Sequence, residues 1–343
     1  MVRLELVSPS DAEQEAMESR ADSLVFQTRE WMRFLVQTQG GSPVYARVLD
    51  GSELIGHFTG LVVRRWGLPI LGSPMPGSTT DYLGFNLVDG ADRAAAARAL
   101  PAFAAKSLRC VHVELRDRFL TVEQATTTGA RVEPYTLLSI DLSPSEDDLF
   151  AGVKKSVRTS VRKARREGVT IEEAVDAGFA DDYMAQLTDV FAKQGLVPTY
   201  GVERVRSLIE HLQPTGKLLL LRARDSNGLC IATGIFPGYR DTAYFWGGAS
   251  WRDAQILQPN ELVMWHAMMH WKAAGATSLE LGGGGAYKAK YHPRSDTVPS
   301  LALSRFEALH RARDVARKLY RVRQRVGGLA RRPSGASAST RPG

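Results

Sequence analysis

Residues able to do chemistry are concentrated between Gly282 and His292. Four successive glycines, Gly282 to Gly285, end the apolar run Thr277-Ser278-Leu279-Glu280-Leu281, and Tyr287-Lys288-Ala289-Lys290-Tyr291-His292 follows. Without a Cβ, Gly283 and Gly284 let a substrate lie against the backbone. A lysine just beyond can meet a phosphate or a developing oxyanion. The same residues can equally form a flexible loop with a solvated charge. A second cationic feature stands at Lys154, Lys155, Arg158, Arg162, Lys163, Arg165 and Arg166, seven cations in thirteen residues. Like charges at this spacing repel on a helix, and an anion would relieve the repulsion. His266 and His270 have the i, i+4 spacing of zinc ligands, but Ala267 stands where a metalloprotease needs its glutamate, so no metal is expected. No G-x-S-x-G elbow is present, and neither Cys110 nor Cys230 has the signature of a nucleophile.

Elements must position these groups. Pro259, Asn260 and Glu261 open a helix with Leu262, Trp265, Met269 and Ala273 at helical spacing, Asn260 suits its N-cap, and Gly275 stands where it should stop. This helix delivers the strand that ends in the glycines. Upstream, Ser143-Pro144-Ser145-Glu146 reads as a capping box with Ser143 as N-cap, opening a helix that runs through the cationic stripe to Gly168. Its opposite face is Val153, Val157, Val161 and Ala164. Trp31, Phe34 and Leu35 mark a short amphipathic helix, 44–49 and 54–64 read as strands, and Gly67 to Gly77 as a shaped loop. An Ala-rich helix over 91–107 bends near Pro101 and feeds the strand 111–115. Helices over 180–211 break at 195–198, and strands at 217–223, 229–237 and 242–249 follow. A basic helix over 308–326 and a Gly/Ser/Pro/Arg-rich tail over 327–343 end the chain. Gly60 and Gly234 lie in similar strands at a shift of 174, and Glu114 and Glu280 in similar strand ends at a shift of 166, consistent with a duplicated α/β unit.

The 343 residues suffice for two cores. A net charge of +7 favours an anionic partner such as a nucleic acid, a phosphorylated precursor or a membrane surface. No stretch reaches the roughly 18 to 20 apolar residues of a membrane span, and residues 1–7 carry acid among apolar residues, unlike a signal peptide. A cytoplasmic protein with two reduced core cysteines is expected.

Taken together, four segments resemble the Fem family of non-ribosomal peptidyl transferases. They are Phe26-Gln27-Thr28-Arg29-Glu30-Trp31; the run from Val161 to Val169, similar to the family's IRKAxxxGV helix; Pro259-Asn260-Glu261-Leu262 with Gly275; and Tyr287 to His292, in place of Phe-Lys-x-x-Phe/Trp-Gly. The resemblance implies an α/β (α+β) fold of two GNAT-like acyltransferase domains, each a mixed sheet flanked by helices. Residues 1–148 would form the first, completed by 300–326, and 149–299 the second. It implies transfer of an aminoacyl group from aminoacyl-tRNA, as co-substrate, to an amine of a peptidoglycan precursor or another acceptor, with no bound cofactor. Lys288 would stabilise the oxyanion. A protonated amine needs a base, and Asp81, Glu114, Glu280 or the substrate itself are the candidates, although the two glutamates can equally be strand-end caps or ion-pair partners. Tyr287, Gly283, Gly284, Tyr82, Trp31 and Arg33 would bind substrate, and Lys154, Lys155, Arg158, Arg162 and Arg166 the tRNA. Relatives that use nucleotide-linked precursor carry a lysine shortly after the tryptophan; here Phe34-Leu35 follow, with Arg33 nearby, which leaves the acceptor open.

Two rivals stand beside this reading. One is an N-acyltransferase using acyl-CoA in polysaccharide or natural-product synthesis, although the nearest pyrophosphate-loop match, Gln37 to Ser42, precedes a strand rather than a helix. The other is a basic nucleic-acid or anionic-membrane binding module, in which the two basic helices are the whole function. For the transferase itself, the basic C-terminal helix would make peripheral contact with an anionic membrane and hold the chain at its inner face.

Overall fold

The computed structural model describes residues 1–306, 310, 311 and 313–315. The first half of the chain forms β1 (Val2–Val7), α1 (Asp11–Glu18), α2 (Arg29–Gln39), β2 (Ser42–Asp50), β3 (Glu53–Arg65), β4 (Leu68–Ser73), β5 (Gly84–Leu87), α3 (Arg93–Ser107), β6 (His112–Leu115), α4 (Val122–Thr126) and β7 (Arg131–Asp141). The second half forms α5 (Glu146–Gly152), α6 (Lys155–Arg166), β8 (Thr170–Glu173), α7 (Phe179–Lys193), α8 (Val202–Leu212), β9 (Leu218–Arg224), β10 (Cys230–Tyr239), β11 (Thr242–Tyr244), β12 (Gly247–Ser250), α9 (Pro259–Ala273), β13 (Ser278–Gly282) and β14 (Arg294–Ser304).

All these strands join one mixed sheet whose pattern is built twice. From one edge, β1 to β4 are antiparallel neighbours, β6 lies parallel to β4, and β14 lies antiparallel to β6. From the other edge, β8 to β11 are antiparallel neighbours, β13 lies parallel to β11, and β7 lies antiparallel to β13. In both halves the third strand pairs with two short ones, β3 with β4 and β5, and β10 with β11 and β12. The shifts seen in the sequence have this origin: Gly60 on β3 corresponds to Gly234 on β10, and Glu114 on β6 to Glu280 on β13.

The halves are stitched together by β7 and β14, which pair antiparallel from Arg131 opposite Ala302 to Ser139 opposite Arg294. β6 ends on the row of Val132 and β13 on the row of Leu138. The carboxyl ends of the two parallel pairs therefore point toward each other, separated by roughly 20 Å of ribbon at about 3.4 Å per residue.

Side chains alternate across the sheet, and three cores follow. On one face α3 and α4 cover the first half, while α5, α6 and α9 cover the second through Val157, Val161, Ala164, Leu279 and Leu281. On the other face α2, α7 and α8 from both halves pack on Leu137, Leu218, Leu220, Tyr244 and Val298. Thr28 caps α2, its hydroxyl accepting from the Trp31 amide, and α2 buries Trp31, Met32, Phe34 and Leu35 in that shared core.

Several boundaries differ from the sequence reading. The helix expected from Ser143 to Gly168 is two, because Val153 turns its backbone extended and the Lys154 amide donates to Lys290 O; Ser145, not Ser143, caps α5. Gln258, not Asn260, holds the cap position of α9, and Asn260 bonds Ser250 from the first turn. The loop expected at 67–77 contains β4, and the strand expected at 242–249 is split into β11 and β12. The glycine run leads into a 3-10 turn, Ala286–Tyr291, rather than a free loop. Most of the expected helix at 308–326 and the whole tail at 327–343 lie outside the described residues.

Candidate active site at the junction of the two half-sheets

At the carboxyl end of β13 the backbone turns at Gly282, whose φ of 68° favours glycine. The 3-10 turn brings Lys288 back over that strand end, where its ammonium donates to Leu281 O at 2.6 Å and Gly283 O at 2.7 Å. An ammonium has three donors, so these two bonds leave one. Lys288 is only 8% exposed, and burial pushes its pKa below the usual lysine value while Asp81 works against that shift. The exposed Tyr287 ring lies 5.7 Å from the ammonium.

Asp81 comes from the first half, on the segment between β4 and β5, which reaches across to the end of β13. Groups from both halves hold this segment. Trp31 Nε1 donates to Thr80 Oγ1 at 3.0 Å, Trp246 Nε1 to Thr79 O at 3.0 Å, and Arg116 to Asp81 O at 3.2 Å. Arg204 donates to Ser78 O. The Tyr135 hydroxyl donates to Asp81 Oδ1 at 3.1 Å, and the Arg116 guanidinium stacks 4.1 Å over the Tyr135 ring. A Cβ on Gly282 would meet the Tyr135 hydroxyl at 3.5 Å and Asp81 Oδ2 at 3.6 Å, so strand end and carboxylate are neighbours. Asp81 sits deep among protein atoms yet keeps part of its surface accessible. Burial pushes its pKa up, partly offset by Arg116, Tyr135 and Lys288.

Glu280 lies behind this group, 2% exposed, with Oε1 accepting from Arg118 Nε at 2.7 Å. Burial pushes its pKa up to about 7; Arg118 opposes the shift and Asp81 adds to it. Its Oε2 and the buried hydroxyls of Tyr82 and Tyr244 have no hydrogen-bond partner among the described residues. Tyr82 nonetheless lies close enough to favour the Glu280 anion. The junction thus holds two carboxylates with raised pKa values, a desolvated lysine and three orphaned polar atoms, a combination characteristic of functional sites.

The other expected residues fall elsewhere. Glu114 pairs with His112 at 3.0 Å and with Arg313 at 2.5 and 3.0 Å. Burial would raise its pKa, but these partners hold it below the usual carboxylate range. Its register row passes through Arg131 on β7 and that of Glu280 through Ser139, roughly 25 Å of strand apart. Trp31 is fully buried and supports the Asp81 segment from beneath. Arg33 is exposed and lines a separate cleft of about 660 Å³ with Arg29, Tyr45 and His211. Gly283 lies at the junction against Tyr135, and Gly284 is open on its Cβ side.

The basic helix begins beside the lysine turn. The Lys154 amide donates to Lys290 O at 2.9 Å, and His292 Nδ1 pairs with Gly152 O at 2.7 Å. Lys154, at the cap of α6, and Lys155, Arg162 and Arg166 on it are exposed, and Arg158 folds back onto the carbonyls of Ala151 and Val153. Arg162 lies 5.2 Å over the Phe150 ring. His266 and His270 both contact Glu173 Oε1, at 2.8 and 3.0 Å. Cys110 and Cys230 are free and buried, and burial pushes both thiols up to about 11, which disfavours the nucleophilic thiolate.

Sequence reasoning missed Arg116, Arg118, Tyr135 and Tyr244. A signal existed for the two arginines: they follow Glu114-Leu115 where the glycines follow Glu280-Leu281, so the repeat marked both strand ends as corresponding places.

Residues 151–291 match the family described as an Acetyltransferase (GNAT) domain. No curated protein matches the chain. Among solved structures the chain is similar to FemX, with a TM-score of 0.68 at 12% identity, covering 86% of this chain and 96% of that one. It is also similar to a tandem GNAT protein from the clavulanic acid biosynthesis pathway, with a TM-score of 0.56 at 12% identity over 89% and 99% of the two chains. A third is the C-terminal domain of a putative lysylphosphatidylglycerol synthetase from Agrobacterium fabrum, with a TM-score of 0.53 at 16% identity over 91% and 95%. The chain has the tandem GNAT-like fold that the sequence resemblance implied.

Proposed function

We propose that this chain is an amide-forming acyltransferase that moves an aminoacyl group from aminoacyl-tRNA to an amine acceptor in cell-wall synthesis. The observation that carries this reading is the meeting of Asp81 and Lys288, from opposite halves of a tandem GNAT-like sheet, beside the start of the cationic helix α6. In the proposed step the amine nitrogen attacks the ester carbonyl carbon. A C–N bond forms and the bond to the ribose oxygen breaks. Asp81 takes a proton from the attacking amine and passes it to the departing ribose oxygen, which leaves as the tRNA hydroxyl while Asp81 returns to its starting state. Lys288 stabilises the oxyanion with its remaining N–H, in a desolvated setting where such a bond is worth more than in water. Asp81 suits the base better than Glu280, since it retains an accessible edge whereas Glu280 is buried against Arg118. The exposed cations of α6 support a polyanionic donor over a small one.

An acyl-CoA donor is the second reading, favoured by the GNAT family match over 151–291. Incubating the protein with either charged tRNA or acyl-CoA, together with cell-envelope precursors, separates the two. Loss of the aminoacyl group from tRNA with formation of an amide is expected; consumption of acyl-CoA alone would overturn the tRNA assignment.

A further inference from the structure

The hairpin joining β3 to β4 turns on Trp66 and Gly67, both left-handed, with φ of 51° and 78°. A two-residue turn of this kind favours Asn-Gly, and a bulky L side chain enters it at a cost. Here the first position is a tryptophan that is 81% exposed, so packing among the described residues does not account for it. Because β6 runs parallel to β4 and antiparallel to β14, the hairpin tip, the start of β6 and the end of β14 share one edge of the molecule. Hydrogen bonds fix the row: Val111 N donates to Pro69 O at 3.1 Å and Arg305 N to Val111 O at 3.0 Å. Phe306, 54% exposed, and Leu68, 39% exposed, stand on the same edge. Around them Arg64, Arg65, Arg109 and Arg305 are all exposed, Arg64 donating to Gly67 O at 3.1 Å, and among the described residues none of the four has a carboxylate partner. This edge lies at the opposite end of β4 and β6 from Arg116 and Asp81.

We propose that this edge docks on an anionic lipid surface. Tryptophan and phenylalanine ringed by arginine is the composition of an interfacial anchor: the rings enter the headgroup boundary and the guanidinium groups meet lipid phosphates. Among the described residues no helix is long and apolar enough to cross a membrane, and the contact proposed is a peripheral one. The inference rests on this edge alone and is independent of the reaction proposed above.

The test is sedimentation of the full-length chain with vesicles of phosphatidylcholine, with or without phosphatidylglycerol. Binding to the phosphatidylglycerol vesicles is expected, weakened about tenfold or more by Trp66→Asn with Phe306→Ser, and lost at high salt. Asn suits the turn better than Trp, so the hairpin should survive, and thermal melting checks that it does. Arg64→Gln with Arg65→Gln, which leaves both rings in place, should weaken binding by a similar factor. Uncharged tRNA, tested by filter binding, should be held equally by wild type and the Trp66/Phe306 variant. Failure to bind anionic vesicles, vesicle binding indifferent to both variants, or a Trp66-dependent loss of tRNA binding in place of vesicle binding would each overturn the proposal.

Discussion

Glu280 is the residue whose chemistry is most sharply set by its surroundings. Its folded pKa of about 7 lies above the ordinary 4.5. Between those values the folded chain holds more protons than the unfolded one, so this group lowers stability as pH rises from about 4.5 through about 7. At about 1.4 kcal/mol per unit the full effect is on the order of 3 kcal/mol. The difference in unfolding free energy between wild type and Glu280→Gln, measured by denaturant titration, should therefore shift steadily over that window; a difference independent of pH would mean that Glu280 is not held in a desolvated site. Lys288 was legible from the sequence because glycines and an aromatic flank it within a few residues. Arg118 and Tyr135 were not, because their partners lie far along the chain: Arg118 meets Glu280 across 162 residues and Tyr135 meets Asp81 across 54. Local pattern carries no information about such pairs.

At the scale of single elements, α6 is where contact with an anion can be told from a merely solvated face by experiment. Val157, Val161 and Ala164 are fully buried and anchor the helix in its core, while Arg162 and Arg166 stand outside. Replacing both arginines by glutamine should leave stability within about 0.5 kcal/mol, as for most surface changes. It should weaken tRNA binding and lower the slope of log affinity against log salt by about one for each phosphate that the helix no longer neutralises. An unchanged slope would place the RNA elsewhere. The face of α6 was readable from its periodicity, whereas its true start was not. Val153 and Lys154 leave the helical conformation in response to Lys290, which arrives on a turn more than a hundred residues later. The split of β11 from β12 was hidden for the same reason, since each finds a different stretch of β10.

At the scale of the whole molecule, the exchange of β14 and β7 makes the halves interdependent. β14 is hydrogen-bonded on one side to β6 and on the other to β7, and the core on α2, α7 and α8 draws on both halves. Unfolding by denaturant should accordingly be one transition, with the same midpoint by far-ultraviolet circular dichroism and by tryptophan fluorescence. Two separated midpoints would show that the halves hold together only weakly. Duplication was visible in the sequence as paired shifts, and the family resemblance implied that residues 300–326 return to the first half, but the passage of β7 into the second half was not legible, because its composition is not distinctive.

The central claim is that acyl transfer occurs where Asp81 and Lys288 meet, and single-turnover transfer tests it most directly. Wild type, Asp81→Asn and Lys288→Ala would each be mixed with charged tRNA and acceptor, and amide formation followed with time. Removing Lys288 also removes its bonds to the carbonyls of Leu281 and Gly283, which can cost about 1–3 kcal/mol, so rates are read at a temperature where melting shows every variant folded. The account predicts that both variants lose transfer by about a hundredfold or more while still binding tRNA through α6. Transfer at the wild-type rate by either folded variant would contradict it.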